Sequence, residues 1–176
     1  PAATETLLSF SHSSASPSST FSAVNTIDVE LLVSAETVAT LHGFEGSYHS
    51  NTDYSSNAVA LIANAPAVSY EPLGGRSSNG VLPFFGVHLS TPVPSGFVFS
   101  IGWSGSWVAS FERTDDRIRI TAGLANFNSS LYAGQSFRGL RVLACNYSGG
   151  DILDGWNVHR RALAKNYLRK DARGFV

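Results

Sequence analysis

The chain has 176 residues, 43% hydrophobic and only 14% charged, with a net charge of −1. That length suits one domain with an ample core, and the near-neutral balance gives no electrostatic basis for nucleic acid or an anionic membrane as partner. A single cysteine excludes an internal disulfide, and no apolar run approaches the about 18 residues that a bilayer span needs.

With no methionine and a proline at position 1, the chain is expected to be a piece of something larger. Asn128-Ser129-Ser130 and Asn146-Tyr147-Ser148 fit the glycosylation triplet, which matters only in a secreted eukaryotic protein. Localisation, cytoplasmic or secreted, stays open.

Residues 1–22 are rich in Ser, Ala and Thr and read as a low-complexity lead-in or extended arm, with Leu7, Leu8 and Phe10 as a short edge strand. Residues 27–33 alternate apolar and polar, the period of a half-buried strand, and residues 37–41 continue it. Residues 43–54 read as a long loop holding Phe44, Tyr48, His49, Asp53 and Tyr54. Rings that stack on sugar faces and a carboxylate that accepts hydroxyl hydrogens suit carbohydrate, although an ordinary surface loop has the same composition. Residues 58–63 and 68–70 are short strands. A Gly-bounded polar loop, Gly74 to Gly80, then runs into a strand with Phe85, Val87 and Leu89 on one face and Phe84, Gly86 and His88 on the other.

Pro92 and Pro94 mark a turn, since proline cannot sit in a central strand. Residues 97–107 read as a strand, a tight turn at Ser104-Gly105 and a return strand, a stiff hairpin flanked by Trp103 and Trp107. Trp107, Ala109 and Phe111 continue the return strand, and 113–116 turns the chain again. Ile118 and Ile120, then Leu140, Val142 and Ala144, complete the strand pattern. After Asp154, a candidate helix cap, Trp156, His159, Leu163 and Tyr167 fall on one helical side, and Arg160, Arg161, Lys165, Arg169 and Lys170 on the other. The class is mostly β: an antiparallel β-sandwich over 23–150 with a C-terminal connecting helix over 151–176.

No self-contained active site is legible. Five histidines lack metal-ligand spacing, so no metal or other cofactor is expected. The Gly102-Trp103-Ser104-Gly105 stretch breaks the nucleophile-elbow frame, and the Gly74–Gly80 loop lacks the lysine and helix of a phosphate loop. Asp115 and Asp116 are neighbours in a turn, not an acid/base pair across a cleft. The residues alone define a β-sandwich and leave sugar binding open.

Six ordered segments resemble the N-terminal domain of glycoside hydrolase family 36, the α-galactosidases. Ser50-Asn51-Thr52-Asp53-Tyr54 is similar to the family's N-T-D-[FY] segment, and Gly75-Arg76-Ser77-Ser78-Asn79-Gly80 with Leu82-Pro83-Phe84-Phe85 to its R-S-S loop and P-F strand. Residues 96–107 resemble the I-G-W-x-G-x-W stretch, and Ile120-Thr121-Ala122-Gly123-Leu124 and Ala133-Gly134-Gln135-Ser136-Phe137 two later segments. Gly155-Trp156-Asn157 through Arg169 resembles the helix that hands the sandwich over to the next domain.

The resemblance implies a supersandwich-like domain packed on a catalytic (β/α)8 barrel of the same parent chain. That barrel would carry the two aspartates that hydrolyse terminal α-galactosides with retention. This chain would hold no catalytic residue and be inactive alone. Asp53 would reach over the barrel mouth to the galactosyl ring. Arg76 and Asn79 would bind sugar, contact the barrel or brace their own loop, and Tyr54, Trp103 and Trp107 are aromatic-contact candidates, the two tryptophans fitting core and interface positions better. Ser55 stands where the family has Arg, and Gln135 where it has Glu. Homo-oligomerisation is a further expectation. The alternatives are a stand-alone carbohydrate-binding module or lectin-like sandwich, and a purely structural capsid or adhesin sandwich.

Overall fold

The computed structural model describes residues 6–9, 26–46, 54–127, 134 and 136–168. Among the described residues, ten strands and one α-helix follow in order: β1 (Thr6–Ser9), β2 (Thr26–Leu32), β3 (Val38–Gly46), β4 (Tyr54–Leu61), β5 (Val68–Tyr70), β6 (Phe84–Ser90), β7 (Ser95–Gly102), β8 (Trp107–Arg113), β9 (Arg117–Leu124), β10 (Arg141–Ser148) and α1 (Ile152–Asn166). They form two five-stranded sheets, β1-β2-β9-β8-β5 and β10-β7-β6-β3-β4. Every recorded pairing is antiparallel. The fold is thus a mostly-β antiparallel sandwich with a C-terminal helix.

Alternation decides which faces meet. In β8, Trp107, Ala109, Phe111 and Arg113 are buried, while Val108, Ser110 and Glu112 are not. Opposite them, β6 contributes Phe85, Val87 and Leu89, and β7 contributes Phe97, Phe99 and Ile101. Phe85 centres a ring cluster, 5.5 Å from Phe99, 5.6 Å from Trp107 and 5.3 Å from Phe111. Each such ring contributes about 1.5–3 kcal/mol through burial.

The stiff hairpin expected over 97–107 is not formed. β7 pairs with β6 and β10, whereas β8 pairs with β5 and β9 in the other sheet. Residues 103–106 therefore carry the chain across the sandwich. The two strands face one another through the core, Phe99 and Phe111 lying 5.6 Å apart. A hairpin would have lined those rings up on one sheet face; the crossing buries them against each other.

Two further expectations shift. β3 runs on to Gly46, so residues 43–46 are strand rather than loop. The helix cap is Asp151, whose side chain accepts from the Leu153 and Asp154 amides, while Asp154 returns the bond to the Asp151 amide as the second half of a capping box. Of the lead-in, β1 is an edge strand on β2; residues 10–25 lie outside the described residues.

α1 packs on the outer face of β6, β7 and β10. That is why β7 is buried on both faces from Gly96 to Ile101. Close approach needs glycines beneath and within the helix. A Cβ on Gly86 would come 2.6 Å from Ile152 Cδ1, and one on Gly155 would come 2.5 Å from the Tyr147 ring.

Candidate functional site

Strand direction gathers the motif segments at one end of the sandwich. β3 ends and β4 begins there, Gly46 pairing with Tyr54. β7 ends and β10 begins there, Gly102 pairing with Arg141. β8 begins and β9 ends there, Trp107 pairing with Leu124. The 71–83 loop joins them through Gly46 N–H donating to Gly80 O at 2.8 Å and Leu82 N–H to Phe44 O at 3.0 Å. The segments around Asp53, Arg76, Asn79, Trp103 and Trp107 thus share one end, although the sequence spreads them over more than fifty positions.

The 71–83 loop is braced internally. Leu73 N–H donates to Asn79 O at 2.9 Å, and the Asn79 amide returns a 2.9 Å bond to Leu73 O. Gly74, Gly75 and Gly80 take φ of 64°, 74° and 80°, the left-handed region that a side chain strains to enter. Trp107, fully buried, donates from Nε1 to Ser77 O at 2.8 Å and ties the loop to the core. Asn79 is therefore a loop brace, and Trp107 a core residue with no exposed ring face to offer a sugar. Arg76 is exposed, and its side chain makes no hydrogen bond or ion pair with a described residue.

Trp103 is half-buried. Its ring packs edge-on against Phe137 at 6.2 Å, and Phe137 in turn meets Phe127 at 4.5 Å. Beside it, Gly102, Ser104, Arg138 and Gly139 complete an open, shallow depression. Tyr54 opens β4. Asp53 lies outside the described residues.

One polar group at this end was missed. Glu45 shares the core-side register of β3 with Leu41 and Gly43, and accepts from Asn57 Nδ2 at 2.9 Å. It also hydrogen-bonds the buried Tyr70 phenol, whose pKa is raised by burial first and then by the Glu45 charge. A carboxylate on the apolar side of a strand pattern was the available signal.

At the other end, Arg113 is buried and donates to the carbonyls of Leu61, Ala35 and Thr37. The helix connects the two ends. Its first turns lie over Tyr147 and Gly86, and His159 then reaches Ser100 at 3.0 Å, next to the start of β6. α1 therefore runs toward the end that holds the motif segments. Among the described residues, no group of three His, Cys, Asp or Glu is placed to hold a metal, and no helix is long and apolar enough to cross a membrane.

The geometry defines a two-sheet sandwich with a loop-rich end and a C-terminal helix. Its fold is similar to that found in solved glycoside hydrolase family 36 α-galactosidases. The AgaA enzyme of Geobacillus stearothermophilus superposes with a TM-score of 0.58 at 19% identity, over 73% of this chain and 18% of the enzyme. A variant of it in complex with raffinose gives 0.57 at 19%, over 73% and 18%. The α-galactosidase of Lactobacillus brevis gives 0.56 at 19%, over 73% and 17%. The likeness shows the fold, and the chain spans less than a fifth of these enzymes' length. No family model and no curated protein matches the chain.

Proposed function

We propose that this chain is the non-catalytic N-terminal sandwich domain of an α-galactosidase-type glycoside hydrolase. The observation that carries the reading is the convergence of the motif segments on the end toward which α1 runs. A barrel continuing from that helix would meet the braced 71–83 loop, Arg76 and the strand ends flanking Asp53. Asp53 would then accept hydrogen bonds from galactosyl hydroxyls at the barrel mouth, and Arg76, free of described partners, would reach the sugar or the barrel. The likeness to α-galactosidases, one of them with raffinose bound, supports the same substrate class.

The test is to express the reading frame beyond Val176 and assay it on a chromogenic α-galactoside beside residues 1–176 alone. Hydrolysis by the longer chain and none by the segment is the expected result. A longer chain without a barrel, or without activity, overturns the reading. Galactose binding by the segment in the absence of any barrel would instead mark a free-standing carbohydrate-binding module.

A further inference from the structure

Glu45 ties together parts of the molecule that the backbone ladders leave separate. It lies on β3, one residue before that strand ends. Its carboxylate accepts from Asn57 Nδ2 at 2.9 Å, on β4 of the same sheet, and from the hydroxyl of Tyr70, the last residue of β5 in the other sheet. β4 and β5 are edge strands, and no ladder among the described residues joins the two sheets. Arg113 makes the corresponding link at the far end, from β8 to the Leu61 carbonyl of β4. The backbone around Glu45 is tied to the 71–83 loop as well. Leu82 N–H donates to Phe44 O, Gly46 N–H donates to Gly80 O, and Glu45 bridges to Val81. One carboxylate therefore sits where two roots meet: Gly46 and Tyr54, which flank the stretch holding Asp53, and Tyr70, from which the loop holding Arg76 departs.

We infer that Glu45 is a positioning residue that holds the root of the Asp53 segment against the root of the Arg76 loop, so that both reach a sugar in one fixed relation. The inference rests on the proposed function and adds to it a link between the two loops. The residue type suits the task. A carboxylate offers two acceptor oxygens, takes both donors at once, and makes shorter and stronger bonds than a neutral acceptor. Glutamine offers one acceptor oxygen and turns an amide donor toward donors. A contact that served packing alone is met by an apolar side chain at lower desolvation cost. Binding groups need to be held to within about 0.5 Å of their productive geometry, and a shared anchor gives two loops one common reference.

Two measurements test this. Hydrogen exchange on the 176-residue chain reads the link without any activity. Glu45→Gln is expected to speed exchange about tenfold at both roots together, at Gly46 and 54–57 and at 80–82, and to leave the β8–β9 turn unchanged. Tyr70→Phe, which keeps the ring and removes one donor, is expected to give the same pattern at smaller size. Unchanged exchange, or exchange that speeds at one root only or throughout the sandwich, overturns the inference. Kinetics of the longer chain on a chromogenic α-galactoside read the consequence. Glu45→Gln is expected to raise KM about fivefold with kcat little changed, and to add less than about twofold in an Asp53→Ala background, because the positioned group is already gone. An enzyme that responds to Asp53→Ala but not to Glu45→Gln overturns the inference and leaves the proposed function in place, as do two losses that multiply in full. A longer chain without activity overturns the proposed function, and this inference with it.

Discussion

Arg113 illustrates how much one side chain holds together here. From the end of β8 this residue, 7% exposed, ties the β2–β3 turn through Ala35 and Thr37 and the end of β4 through Leu61 with its guanidinium. Arg113→Ala leaves those carbonyls without a donor and a void behind them. Chemical denaturation is expected to register a loss of about 2–4 kcal/mol. Trp107 links the core to the candidate site through its bond to Ser77 O. Trp107→Phe keeps most of the packing but frees that carbonyl, and is expected to cost about 1–2 kcal/mol and to speed amide exchange across Gly75 to Gly80. Burial of Phe85, Val87, Leu89, Ile118 and Ile120 was legible from alternation, because a one-residue slip would turn every one of them to solvent. Glu45 was not, since its carboxylate lies on the core-side register and is satisfied by Asn57 and Tyr70 from other strands.

At the scale of elements, α1 seals titratable groups against the sheet. Burial lowers the pKa of His159, which meets Ser100 from β7, with Phe84 and Trp156 at its ring. Nearby, burial and then His88 lower that of His42. These histidines are held neutral in the folded state, so the unfolded chain takes up protons first. Stability is full above about pH 6.5, the ordinary histidine value, and falls as pH drops toward the lower folded values. Tyr147, paired with His88 at 2.8 Å, has the opposite dependence. Burial first, then Asp151 and Asp154, push its pKa up to about 12, so its contribution is full below about 10 and is lost as pH rises through 12. Melting temperatures from pH 5 to 8 are expected to rise with pH, with a shallower acid limb in His159→Gln. Gly155→Val would drive a branched side chain into the Tyr147 ring and is expected to cost about 1–3 kcal/mol by thermal unfolding. The helix was legible because its period changes from 2 to 3.6. The 103–106 crossing was not: alternation reports which face is buried, and a hairpin and a sandwich crossing bury the same residues of β7 and β8.

For the whole molecule, topology supplies what the sequence order conceals. Residues 46, 54, 80, 102, 107 and 141 meet at one end because antiparallel strands return there, and nothing in local composition announces that meeting. The resemblance in the sequence named the segments, and the fold brings those it describes together. The Asn79 brace and the Trp107 bond to Ser77 O tie the 71–83 loop down before any partner arrives, which lowers the entropic cost of contact. The account centres on Asp53 as the sandwich's contribution to a galactosyl site. The most direct measurement is kcat/KM on a chromogenic α-galactoside for the longer chain and its Asp53→Ala variant, with melting temperatures in parallel. Loss of charge-assisted bonds to sugar hydroxyls is expected to lower kcat/KM about 10- to 100-fold at an unchanged melting temperature. Activity equal to the wild type in the variant would contradict the account and leave the sandwich a scaffold without a hand in the sugar site.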